Sequence, residues 1–188
     1  MTMEITEEKK RGIVRVINTL QNKENCPIKI FAKMIGTLIS ACPAIPYGVF
    51  HTKKFERNKY LALMASDGNY KSKMTLPSSL QPEYTWWLRN IVNAKRPLKQ
   101  GKYLMEIFSD ASPTGWGAVY NSEHTHGFWS QAEQNKHINY LEILAAYYAL
   151  KSFVKNVTNC SILLRIDNTT AVSYINRMGG IKYKHLNH

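Results

Sequence analysis

Residues 104–178 read LMEIFSDASPTGWGAVYNSEHTHGFWSQAEQNKHINYLEILAAYYALKSFVKNVTNCSILLRIDNTTAVSYINRM, and the rest of the chain is organised around them. Residues 104–109 (LMEIFS) are apolar on both alternating faces, the mark of a strand covered on both sides, and this strand delivers Asp110 at its C-terminal end. The run 110–120 (DASPTGWGAVY) turns between Pro113 and Gly115 and returns, which predicts a hairpin. A third, shorter strand fits residues 126–130. In 139–153 (NYLEILAAYYALKSF), Leu141, Leu144, Ala145 and Tyr148 fall at helical spacing with Ile143, Tyr147 and Leu150 beside them, so a largely buried helix is expected, with Glu142 in its first turn. Residues 161–167 (SILLRID) read as a strand ending at Asp167, and 168–178 as a helix stopped by Gly179 and Gly180. The order is β-β-β-α-β-α, with two strands that end in aspartate.

If the first and fourth of these strands lie side by side and parallel, Asp110 and Asp167 emerge at one sheet edge, where ligands of α/β sheets bind. Asp110, Glu142 and Asp167 would then converge and repel one another, a conflict that a hard divalent cation relieves. Each residue also fits a local role. Asn139 and Glu142 are spaced as an N-cap and its N3 partner in a capping box. Asp167 stands where it would cap the following helix, and Asp110 where it would serve the turn. Ser112, Thr114 and Asn168 are open in the same way, between phosphate contact and turn or cap duty. It is the three carboxylates in this order that favours a site.

The segments SDASPTGWGAVY, HINYLEILAAYYAL and LLRIDNTTAVSYINRMGG resemble the ribonuclease H domain of retrotransposon reverse transcriptases, most closely those of tyrosine-recombinase-bearing elements of the DIRS type. The resemblance implies that Asp110, Glu142 and Asp167 hold two Mg²⁺ ions, with Mn²⁺ as a substitute, and that the activity is hydrolysis of the RNA strand of RNA–DNA hybrids without a protein nucleophile. Ser112 and Asn168 would touch the nucleic acid beside the metals. The family pattern also asks for a fourth carboxylate on a later helix, after a fifth strand. No Asp or Glu follows Asp167 here, so the expectation is a ribonuclease H-like domain lacking its last strand and helix. A second reading stands beside catalysis: a non-catalytic nucleic-acid-binding relic or domesticated fragment of a reverse transcriptase polyprotein.

Upstream the charge changes. Residues 1–102 hold 18 Lys and Arg against 7 Asp and Glu, whereas the remainder holds 7 against 6. An excess of this kind is the electrostatic footprint of a nucleic-acid partner and also the mark of a lysine-rich solvated face. This half reads as helices. Thr6 caps the first, with Glu7 and Glu8 in its first turn and Ile13, Val16, Ile17 and Leu20 buried. Pro27 opens the second, with Ile30, Phe31, Met34, Ile35, Leu38 and Ile39 on one side. The segment CPAIPYG (42–48) breaks it. A third helix over 49–66 carries Lys53, Lys54 and Arg57, which line a phosphate track or cover a solvated face. A fourth presents Leu80, Tyr84, Trp87, Leu88 and Ile91, and leaves Trp86 open between core packing and base stacking. Residues 93–102 (NAKRPLKQGK) have the composition of a linker.

The stretches KMIGTLISACPAIPYGVFHTKKFERNKYLAL and YTWWLRNIV resemble the thumb or connection region of the same elements. That resemblance implies a grip on an RNA–DNA hybrid or other duplex through its backbone, and a reverse transcriptase polymerase domain as partner. No paired-aspartate polymerase motif of the YxDD kind is in this sequence. The expected fold class is α+β: a basic helical module over 1–95, a linker over 96–102 and an incomplete ribonuclease H-like domain with a mixed sheet over 103–188.

The remaining features bound the answer. No stretch reaches the roughly 18 apolar residues of a membrane span, and acidic residues occupy the N-terminus where a signal peptide has its apolar core. An intracellular protein of cytoplasm or nucleus, without membrane partners, is expected. Cys26, Cys42 and Cys160 are far apart and form no CxxC pair, so neither a disulfide framework nor a zinc site is indicated. His124 and His126 fit a polar hairpin tip better than a metal site, and His137, before a helix, a solvated position.

Overall fold

In the computed structural model, which describes residues 2–97, 102–158 and 160–181, the chain divides into two units, residues 2–97 with 177–181 and residues 102–176. The fold class is α+β, with helices dominating the first unit and a four-stranded mixed sheet in the second.

The first unit begins with a short strand β1 (Thr2–Glu4) and helix α1 (Glu7–Gln21). Thr6 caps α1: its hydroxyl accepts the Lys9 amide at 3.4 Å, and Glu7 and Glu8 complement the positive end of the helix dipole. Thr6→Ala is expected to lower stability by about 1 kcal/mol, read from the urea midpoint; an unchanged midpoint would show that the cap is idle. Strand β2 (Asn25–Pro27) leads into α2 (Ile28–Ile39), α3 (Lys53–Ala65), strand β3 (Lys73–Thr75), α4 (Gln81–Ile91) and strand β4 (Lys95–Pro97). On α2 the buried stripe is Ile28, Phe31, Met34, Ile35 and Leu38, whereas Ile30 and Ile39 are exposed. The sequence expectation placed both on the core side. The i, i+3, i+4, i+7 rows from Ile28 and Phe31 leave them off the packed face. The core is completed by Phe55 from α3 and by Tyr84, Trp87 and Ile91 from α4.

Two antiparallel ribbons tie these helices together, β1 with β4 and β2 with β3, and neither was legible in the sequence. Each strand has three residues and mixed polarity, so hydrogen bonding between backbones, which composition does not record, decides the pairing. Consequently the expected linker overlaps β4 at residues 96 and 97, and residues 98–101 lie outside the described residues.

The second unit is built from β5 (Met105–Ala111), β6 (Gly115–Tyr120), β7 (Glu123–Phe128), a one-turn helix α5 (Gln131–Gln134), α6 (Ile138–Phe153), β8 (Ile162–Arg165) and α7 (Thr169–Asn176). The sheet order is β7-β6-β5-β8, with β5, β6 and β7 antiparallel in sequence and β8 parallel to β5. Met105 and Ile107 pack with Ala118 and with Ala149 of α6, while Trp129, Leu141 and Ala145 form an adjoining cluster. The expectation that β5 is covered on both sides is corrected: burial alternates strictly along it, and Phe108 is 52% exposed. One apolar residue on the far face does not make a covered face.

Strand β7 also starts earlier than expected, because Asn121 takes a left-handed backbone (φ 53°) that closes a tight turn without glycine. His124 and His126 therefore lie inside the strand and not at a hairpin tip. Gly115 is required by close approach: a Cβ there would sit 2.5 Å from the Gly127 carbonyl oxygen.

Candidate metal centre

Three elements bring the site together. Strand β5 carries Asp110 opposite Gly117, the second turn of α6 carries Glu142, and Asp167 follows two residues after β8. Because β8 runs parallel to β5 with Phe108 facing Arg165, the next residues of both strands reach the same edge. One oxygen from each of the three carboxylates lies within 4.8 Å of the others. Asp110 and Asp167 are exposed and Glu142 is buried, with 4% of its surface accessible.

The local duties that competed for these residues are taken by their neighbours. His137 caps α6, its Nδ1 accepting the Asn139 amide at 3.1 Å, so no Asn139–Glu142 capping box exists. His137 is exposed as expected, but with this added role. Asn168 caps α7 through its Oδ1, which accepts the Ala171 amide at 2.9 Å, and its Nδ2 donates to Asn139 Oδ1 at 3.0 Å. The start of α6 is thereby fastened to the start of α7, beside Glu142 and Asp167. Ser112 holds the β5–β6 turn: its Oγ accepts the Gly115 amide at 3.1 Å, and its carbonyl accepts the Trp129 indole N–H at 2.7 Å. Capping and turn formation are thus met by residues other than Asp110, Glu142 and Asp167.

Their electrostatics are unfavourable as they stand. Burial pushes the Glu142 carboxyl up to about 7, the charges of Asp110 and Asp167 add to it, and the Ala111 backbone acts weakly against it. Glu142 Oε2 is buried without a hydrogen-bond partner. Among the described residues none of the three carboxylates forms an ion pair, and the nearby Arg165 is held by Glu106 at 2.7 Å. An all-oxygen donor set with an orphaned buried oxygen fits a hard divalent cation. The buried, unpartnered Ser109 hydroxyl next to Asp110 was not singled out from the sequence, since a serine within an apolar strand gives no signal there.

The residues expected to contact nucleic acid are placed differently. Ser112 and Asn168 stand near the centre, in the turn and cap roles just described. Lys53 pairs with Glu56 at 3.2 Å, Lys54 with Glu83 at 3.1 Å, and Arg57 donates to the Ile181 carbonyl at 2.8 Å. Trp86 is half-buried and stacks on His51, with ring centroids 3.7 Å apart.

No protein-family model matches the chain, and no curated protein matches it. Among solved structures, the chain is similar to foamy viral protease–reverse transcriptase structures. One, a dRH form in complex with double-stranded DNA, has 13% identity and a TM-score of 0.37, covering 90% of this chain and 30% of that one. Another, also in complex with double-stranded DNA, has 14% identity and a TM-score of 0.33, covering 90% of this chain and 35% of that one. The chain thus spans about a third of the length of either structure. Among the described residues no helix is long and apolar enough to cross a membrane.

Proposed function

We propose that this chain is a retroelement-derived ribonuclease H-like protein that hydrolyses the RNA strand of RNA–DNA hybrids at Asp110, Glu142 and Asp167 with Mg²⁺. The observation that carries this reading is the convergence of three carboxylates from separate elements within 4.8 Å, with Glu142 buried and its Oε2 unpartnered. Evolution rarely maintains such repulsion except where function needs it. The DIRS-type origin, the two-unit division into a basic module and a ribonuclease H-like domain, and the partnership with a reverse transcriptase polymerase belong to the same reading, supported by the sequence segments quoted above.

The exposed Asp110 and Asp167 would face the hybrid, and the buried Glu142 would hold the ion from below. Bound Mg²⁺ supplies charge neutralisation at the scissile phosphate and activation of water. Water would be the nucleophile: its oxygen bonds to phosphorus as the P–O3′ bond breaks, the water gives up one proton to solvent, and the departing 3′ oxygen takes one up. Glu142, whose carboxyl titrates near neutrality, is ionised only with the ion in place or above about pH 7.

The test is cleavage of an end-labelled RNA–DNA hybrid with Mg²⁺ or Mn²⁺. The protein is expected to cut only the RNA strand, with chelator and Asp110→Asn each abolishing the cut. Absence of cutting by folded protein that binds the metal would sink the hydrolytic reading and leave a nucleic-acid-binding relic.

A further inference from the structure

The two histidines of β7 have no part in the site described above. His124 and His126 stand two apart inside the strand, so both side chains leave the same face of the sheet, and both are exposed. Neither imidazole has a hydrogen-bond or ion-pair partner among the described residues. The strand register decides what shares that face. Asp110 pairs with Gly117 and Gly117 with His126; two residues along, Phe108 pairs with Val119 and Val119 with His124. Asp110 and both histidines line one open groove of about 820 Å³, with Phe108 and Val119 in its floor. Gly117 stands between Asp110 and His126 and puts no side chain in the gap. Neighbouring strands lie about 4.8 Å apart, so roughly 10 Å of backbone separates the two residues. A carboxylate and an imidazole close such a span around one ion held at about 2.0–2.2 Å from each donor atom.

We propose that His124, His126 and Asp110 form a second metal site, selective for a divalent transition ion such as Zn²⁺, and that filling it inhibits the carboxylate centre. Two imidazoles and one carboxylate are a donor set for Zn²⁺ and a poor one for Mg²⁺, which takes oxygen ligands. The strand fixes the spacing of the imidazoles, which lowers the ordering cost of chelation. As the side chains stand, Asp110 groups with Glu142 and Asp167 and not with the histidines. Asp110 is exposed, and rotation about its side-chain bonds carries its carboxylate from one set toward the other. An ion drawn to the histidines therefore takes a ligand from the carboxylate centre. The inhibitory half of the proposal rests on the hydrolytic reading above, whereas the binding half does not.

Titration of the full chain with Zn²⁺, followed by calorimetry, is expected to show a site of one ion per chain. His124→Gln and His126→Gln should each weaken it by about tenfold or more, since even the outer-shell partners of metal ligands are worth that much. Asp110→Asn should weaken it as well, and Asp167→Asn should not. His185→Gln with His188→Gln, which removes the other closely spaced histidine pair of the sequence, should leave it unchanged. Parental Zn²⁺ affinity in the His124→Gln/His126→Gln double variant, loss of the site with His185 and His188, or one ion per two chains would each overturn the proposal. In the hybrid-cleavage assay, Zn²⁺ added over Mg²⁺ should stop cutting by the parent at concentrations that leave the double variant cutting at full rate. Equal inhibition of both would refute the coupling between the sites. Absence of cutting with Mg²⁺ alone, with the calorimetric pattern intact, would strike the hydrolytic reading and leave the metal site standing.

Discussion

Glu142→Gln is expected to raise the melting temperature of the metal-free protein at pH 8 while removing all metal-dependent cleavage. The two effects have opposite signs and a common cause. In the folded chain the Glu142 carboxyl is pushed from 4.5 up to about 7, by burial first and then by Asp110 and Asp167. A carboxyl raised in the folded state binds its proton more tightly there than in the unfolded chain. Its contribution is therefore fully favourable below about pH 4.5 and is lost progressively as pH rises to about 7, above which the ionised group only destabilises. The shift corresponds to roughly 3 kcal/mol, or roughly 12–24 °C for a unit of this size. Glutamine keeps the shape and cannot ionise, so the variant should gain that amount at pH 8 and almost nothing at pH 4.5. Mg²⁺ should stabilise the native protein at pH 8 more than the variant, because the variant keeps Asp110 and Asp167 but lacks the third ionised ligand. A melting-temperature difference that stays constant from pH 4.5 to pH 8 would remove the electrostatic account of the site.

The site was legible because the sequence signals that place it are regular ones. A strand ending in Asp110, a helix opening near Glu142 and a strand ending just before Asp167 can each be read from apolar periodicity, and the parallel β5–β8 pairing then puts the two aspartates at one edge. What could not be read is which residue does the capping. His137 is a weak cap by type, and the Asn168–Asn139 hydrogen bond joins positions 29 residues apart, so that His137 and Asn168, and not Glu142 and Asp167, take the cap positions is visible only in the geometry. The basic surface shows the same limit. Sequence locates positive charge on α3 and α1 alike, but Glu83, which neutralises Lys54, comes from α4, and no local pattern reveals it. The three-residue ribbons were invisible for a related reason, being specified by backbone pairing across long separations.

Trp87→Ala is expected to cost the first unit about 3–5 kcal/mol, the range for emptying a fully buried indole site. Trp87 has no accessible surface and packs within the cluster formed by Phe31, Phe55, Tyr84 and Ile91. Its indole N–H donates to the His51 carbonyl at 3.3 Å, so truncation leaves that carbonyl short of a partner as well as leaving a void. Against a typical stability of about 5–15 kcal/mol, such a loss leaves the unit marginal or unfolded at 37 °C. Trp86, its neighbour in sequence, makes the contrast. It is half-buried and lies against His51 at 3.7 Å with ring planes 15° apart, while His51 Nδ1 is fixed by Glu83 at 2.7 Å. Removing that ring gives up a stacking contact of roughly 0.5–1.5 kcal/mol and some area, but opens no closed cavity. Urea denaturation followed by far-UV circular dichroism, which does not depend on indole emission, reads both variants on one scale. A Trp86→Ala cost equal to or above that of Trp87→Ala would mean that the unit is held by the His51 stack and not by the helical core, and the assignment of α4's inner face would have to be reversed.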